Sequence, residues 1–189
     1  MPAKHCPRLP GQACFTRKWH EKSEGNLPMT IAPTLRAFLE DQGVIYEIIE
    51  HAPTDSAIES ATAAHIPPSC VAKAVLLDLP REQHDHLVAL LASDRRLELD
   101  ELRDAVGEKP QLAHEEEIAT LFDDCAHGAV PPGFGYRVDM IVDDQLTREP
   151  DIFFEGGDHC SLIHIEQAEF DRLTRRARHG RFSALSIDS

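Results

Sequence analysis

Gly128-Ala129-Val130-Pro131-Pro132, followed about twenty residues later by Phe154-Glu155-Gly156-Gly157-Asp158-His159, is the stretch on which the reading of this chain turns. A glycine four residues ahead of a proline, between two structured segments, fixes a backbone path. Gly128 permits a positive φ or a close approach, and Pro131 and Pro132 lock their own φ angles. Such a loop can offer main-chain N–H and C=O groups to a ligand without relying on mobile side chains. The second stretch places a histidine just past a tight turn that ends an apolar run.

Working outward, Ile152–Glu155 and Ser161–Ile165 read as a hairpin around Gly156-Gly157-Asp158, and Val138–Val142 as a strand before it. Upstream, Val71–Leu77 and His86–Ala92 are apolar, β-rich runs joined by the polar Arg81–Asp85. Val44–Ile49 reads as a further strand. Pro33–Gln42 reads as a helix, with proline in its first turn, a stripe of Leu35, Phe38 and Leu39, and Gly43 as its stop. Ser56-Ala-Ile-Glu59 is a capping-box pattern opening a second helix, which Pro67-Pro68 ends. Asp100–Val106, Glu115–Phe122 and Glu166–Arg176 complete the helices. Hairpins interrupted by helices predict an α+β fold: one compact domain with a mixed, curved, barrel-like sheet flanked by helices. Its expected extent is residues 29–189. Residues 1–28 lack periodicity and read as a disordered N-terminal extension, with Met29 as an alternative start.

Composition narrows the function classes. The chain has 189 residues and a net charge of −14. Beyond residue 28 it carries 14 Lys and Arg against 31 Asp and Glu, a poor balance for gripping a nucleic-acid backbone unaided. It allows a local basic lip at one end of an RNA and predicts weak, salt-sensitive contact with the rest. No apolar run is long enough to cross a bilayer, and the N-terminal stretch has no continuous apolar segment of a secretory signal. The five cysteines (Cys6, Cys14, Cys70, Cys125, Cys160) form no C-x-x-C pair and are odd in number, which points to free thiols and a cytoplasmic protein. The eleven histidines are scattered without H-x-x-x-H or H-E-x-x-H spacing, so no metal is expected.

Three places carry candidate chemistry. Lys73 lies on a strand, sharing a face with Val71, Val75 and Leu77. An ammonium there must snorkel to water, find an anion, or lower its pKa. The Gly128–Pro132 loop is either a rigid connection or an anchor whose fixed dipoles hold a polar substrate group, as an oxyanion hole does. His159 is either an exposed turn histidine or a group that orients substrate or water. A direct pair with Asp158 needs the turn to cooperate, because neighbours on a strand face opposite ways. No serine elbow, Walker loop or dinucleotide glycine pattern occurs. Cys125 before the loop reads as a packed thiol at a helix end rather than a nucleophile.

Taken in order, His51-Ala-Pro53, Val71–Leu77 with its lysine, Asp100–Gly107, Leu112-Ala-His-Glu-Glu-Glu117, Phe122-Asp-Asp-Cys125, Gly128–Pro132, Met140-Ile-Val-Asp143 and Phe153–His159 with Leu162-Ile-His164 form a series. It resembles the YbaK/prolyl-tRNA synthetase-associated domain family, over roughly Ala32 to Arg176. The resemblance implies a free-standing editing hydrolase that cleaves the ester between a wrong amino acid and the tRNA 3′ end, without cofactor or metal. It implies catalytic roles for Lys73 and His159. Substrate contacts would come from Gly128, Ala129, Val130, Pro131 and Pro132, and from Gly157 and Asp158 of the hairpin. The partners implied are the acceptor end of a mischarged tRNA and an aminoacyl-tRNA synthetase. Gly133-Phe-Gly-Tyr136 and the Gly-Gly-Asp-His hairpin depart from the proline-editing branches and leave the amino acid open. The same residues would equally serve a non-catalytic module that binds an aminoacyl group or amino acid.

Overall fold

A glycine-stopped helix opens the fold. In the computed structural model, which describes residues 31–80 and 85–186, α1 spans Pro33–Asp41. Leu35 and Leu39, one turn apart, are fully buried, and Gly43 follows at φ +63°. The readings of residues 1–28 as a disordered extension, of Met29 as a start and of the Arg81–His84 turn lie outside the described residues.

The strand expected from Val44 begins three residues later, as β1 (Glu47–Glu50). The reason is local: Val44 N–H closes the helix end on Leu39 C=O at 2.9 Å. Next, α2 (Ala57–Ala63) starts as its sequence predicts, with Ser56 Oγ accepting Glu59 N–H. Glu59 returns its carboxylate to Asp55 N–H (3.1 Å), one residue earlier than a capping box requires.

The long apolar runs become β2 (Val71–Leu79) and β3 (Asp85–Ala92), paired antiparallel from Ala72↔Ala92 to Leu79↔Asp85. After β4 (Arg95–Leu97) come α3 (Leu99–Val106), β5 (Gln111–Leu112) and α4 (Glu115–Leu121). The chain continues through β6 (Asp139–Asp143), the β7 (Asp151–Glu155) and β8 (Ser161–Glu166) hairpin, and α5 (Gln167–Thr174). It ends on β9 (Arg178–Gly180) and β10 (Ser183–Leu185). Four short strands, β4, β5, β9 and β10, carry no alternation that a sequence could reveal.

The main sheet runs β1-β8-β7-β2-β3-β6-β9, with β5 also on β2; β10 and β4 form a separate pair. Both parallel and antiparallel pairings occur, as the α+β reading requires. The barrel-like expectation needs one correction: the path stays open, with β1 and β9 at opposite ends. Alternation along β3 explains the layering. Val88 and Leu90 enter one core with Phe134, Phe154 and Phe170, while Leu87, Ala89 and Leu91 enter a second with Leu102 and Phe182. A strand covered on both faces must be apolar throughout, which is how the β3 sequence reads.

Candidate active site

The site begins as a gap in the sheet. On one side of β2, strand β7 pairs only with Val71 and Ala72, and β5 pairs only with Leu77 and Asp78. Leu76 C=O accepts Ala113 N–H (3.1 Å) on that same side. Backbone groups alternate along a strand, so the N–H and C=O of Ala74 turn the same way as those of Leu76, into the gap. Among the described residues no sheet neighbour covers that position.

Lys73 stands beside this gap. Its face carries Val71 on one side, packed with Ala61 and Leu162, and Val75 and Leu77 on the other, packed against Leu102 and Phe182. The side chain is therefore half-buried between two apolar clusters. Burial pulls the ammonium pKa below its ordinary value, and the Asp94 carboxylate opposes that pull in part.

The Gly128 loop is held from behind. Gly128 takes φ +80°, with open space where a Cβ would point. Ala129 N–H closes a turn on Ala126 C=O (2.9 Å). Just upstream, Asp124 Oδ2 accepts Thr34 N–H at the start of α1 (2.7 Å), and its Oδ1 accepts the Tyr136 hydroxyl (2.7 Å). Burial pushes the Asp124 carboxyl up, but these two donors outweigh it and hold the pKa below its usual value. The Tyr136 ring packs edge-on to Phe122.

The hairpin turn is organised by Glu155. One of its carboxylate oxygens accepts the N–H groups of Gly157 (2.9 Å), Asp158 (3.1 Å) and His159 (3.0 Å). Asp158 is buried and takes Cys160 N–H (2.9 Å) and the Ser161 hydroxyl (2.8 Å), so its carboxylate serves the turn. His159 sits at φ +60° and its Nε2 meets His127 C=O at 2.9 Å. A carbonyl can only accept, so Nε2 carries a proton and donates it; in the neutral tautomer with that proton, Nδ1 is an acceptor. Gly157 has no room for a side chain: a Cβ there would lie 2.9 Å from Ala32 Cβ and 3.0 Å from Cys125 Sγ.

These pieces enclose one pocket of about 190 Å³. Lys73, Gly128, Ala129, Val130 and His159 all line it, together with Ala74 and Glu155. Pro131 and Pro132 are buried behind the loop, and Gly157 and Asp158 lie within the hairpin; none of the four is on the pocket wall. Sequence reasoning missed Glu155, Thr54, Asp55, Ser56 and Ser60, which line the pocket from β7 and from the start of α2. Ser56 and Glu59 were legible as a helix start, but nothing in their spacing says where that start points. Burial raises the Cys125 thiol to about 12, so it is no nucleophile at neutral pH. Burial and the nearby Asp158 and Glu155 carboxylates also raise Cys160. Among the described residues no helix is long and apolar enough to cross a membrane.

Comparison with known proteins agrees with this architecture. Residues 51–173 match the family model of the aminoacyl-tRNA editing domain. Among solved structures, a candidate trans-editing enzyme for prolyl tRNA synthetase superposes with a TM-score of 0.70 at 24% identity, covering 82% of this chain and 99% of that one. The hypothetical protein APE2540 gives 0.70 at 19% identity, over 80% of this chain and 99% of that one. At such identities the likeness is one of fold. No curated protein matches the chain by sequence. The family match spans well over half of the chain, which therefore belongs to the aminoacyl-tRNA editing domain family.

Proposed function

We propose that this member of the aminoacyl-tRNA editing family is a free-standing hydrolase that cleaves the ester of mischarged aminoacyl-tRNA. The observation that carries the reading is the convergence of Lys73, the Gly128–Val130 backbone and His159 on one small pocket. Its volume falls below the ~300 Å³ at which pockets for whole small molecules begin. It suits a small aminoacyl group whose tRNA stays outside.

The roles follow from chemistry. The ester is already activated, so the protein needs to place it and to stabilise charge. Backbone groups of the Gly128 loop, preset by its turn, hold the aminoacyl end. Lys73 faces the negative charge that develops on the carbonyl oxygen or the terminal phosphate. His159 Nδ1 accepts a hydrogen bond from the attacking water, and the ring is steadied by its bond to His127 C=O. The carboxylates of Asp55 and Glu155 suit the substrate's α-ammonium group. Water adds to the carbonyl carbon, the bond to the ribose oxygen breaks, and that oxygen leaves with a proton. No step draws on a metal or a cofactor. The proposed substrate fits a cytoplasmic protein, and an aminoacyl-tRNA synthetase, that for proline among them, is a natural partner.

A panel of tRNAs, each carrying a wrong amino acid, tests this reading. The proposal expects fast release of one or a few small amino acids and slow release of large ones. Release of none, or of all at one rate, would contradict it.

A further inference from the structure

We propose that Asp78, His86 and Glu117 form a binding site for a divalent transition-metal ion, with zinc the best fit. The inference is independent of the editing reading. None of the three residues lines the pocket, and Asp78 lies five residues beyond Lys73 along β2, roughly 17 Å away at the rise of a strand.

The three side chains come from three elements. Asp78 and His86 are direct cross-strand partners in the β2–β3 ladder, so both side chains project from the same face. Glu117 is in the first turn of α4. Its Oε2 accepts His114 N–H at 2.6 Å, which leaves Oε1 turned to His86 Nε2 at 3.4 Å. All three donor atoms lie within 4.8 Å of one another, and all three residues are half-buried.

A tetrahedral ion bound at about 2.1 Å holds its ligands about 3.4 Å apart. The His86–Glu117 edge therefore already has the right length, and the remaining edges need small rotations of flexible carboxylates. The same 3.4 Å is long for a hydrogen bond, so a His–Glu ion pair alone accounts for the cluster poorly. A second, separate observation points to a missing partner. Asp78 Oδ1 is buried and has no hydrogen-bond partner among the described residues. A bare carboxylate oxygen is costly to bury, and a cation would satisfy it.

The donor set selects the ion. One imidazole with two carboxylates suits zinc, and after it cobalt or manganese, while calcium and magnesium favour oxygen alone. Two negative charges balance a dication, and partial exposure leaves room for water as a fourth ligand. Bound there, the ion would tie the β2–β3 hairpin to α4, the helix that leads into the Gly128 loop.

The test uses the full chain stripped with chelator and titrated with Zn²⁺ by equilibrium dialysis, alongside thermal melts. We expect one saturable ion per chain and a rise in Tm on loading. Asp78→Asn and His86→Gln should each weaken binding at least tenfold and abolish the rise. Substitution with Co²⁺ gives an arm that needs no variant: the visible spectrum should be that of nitrogen and oxygen ligands. Absence of saturable binding in the wild type would overturn the proposal. So would unchanged affinity in both folded variants, or a thiolate-to-cobalt charge-transfer band, since either puts the ion on other residues.

Discussion

Lys73 concentrates the physical argument in one side chain. It shares a face with Val71 and Val75, is half-buried, and lines the pocket. Lys73→Ala should lower kcat/KM for a misacylated tRNA by about 10²-fold or more, the scale of losing a preorganised charge. Tm should hold or rise slightly, because a desolvated ammonium is removed. Unchanged turnover with unchanged Tm would deny Lys73 a role; a large fall in Tm would make it a packing residue. The cysteines make a negative counterpart. The Cys125→Ala, Cys160→Ala double variant should keep activity within about threefold, since thiols of raised pKa are poor nucleophiles toward esters at neutral pH. Near-complete loss in a folded double variant would revive a covalent mechanism. Lys73 was legible because a lone cation in an aliphatic strand is conspicuous. Glu155 was not, because its importance lies in three N–H groups that only the folded turn brings to it.

Among elements, the Gly128 loop and its support from Asp124 are the ones that can be tested separately. Gly128→Ala pays for a side chain at positive φ, about 1–2 kcal/mol, while its methyl enters open space. Gly128→Val pays a similar strain and also fills the pocket wall. Both should melt lower than wild type by comparable amounts, with kcat/KM falling much further in the valine variant. Equal activities would make the loop an ordinary connection. Pro131 is a poor control, because it is buried and its loss removes packing as well as stiffness. Asp124→Asn should destabilise by about 1–3 kcal/mol at neutral pH, the scale of a part-buried charged hydrogen bond. The folded pKa of Asp124 is depressed, so its contribution is complete above the ordinary value of 3.8 and is lost as pH falls through the folded value. Denaturant melts of both proteins should therefore converge below that pH; a constant gap would deny the linkage. The long elements were readable from apolar runs and helix stops. β4, β5, β9 and β10 were not, because stretches of only two or three residues become strands only through neighbours distant in sequence.

Across the whole molecule, charge bears on how the proposed tRNA substrate would be met. With a net charge of −14, the protein gains little from the tRNA body, so contact should be confined to the acceptor end. The logarithm of KM against that of salt should rise with a slope of about 2 or less, equivalent to two or three phosphates. A slope several times steeper would reveal a basic surface that these contacts do not use. The α+β class could be read from the order of hairpins and helices, but closure of the sheet could not. That depends on how far apart β1 and β9 end, which local pattern does not encode. The central claim is turnover, and it is tested most directly by mixing purified protein with a hundredfold excess of misacylated tRNA and counting amino acid released per chain. The account predicts many releases per chain for the wild type and background release for Lys73→Ala. Tight one-to-one binding by the wild type, with no release above the spontaneous rate, would contradict it and leave a module that holds the aminoacyl end without cleaving it.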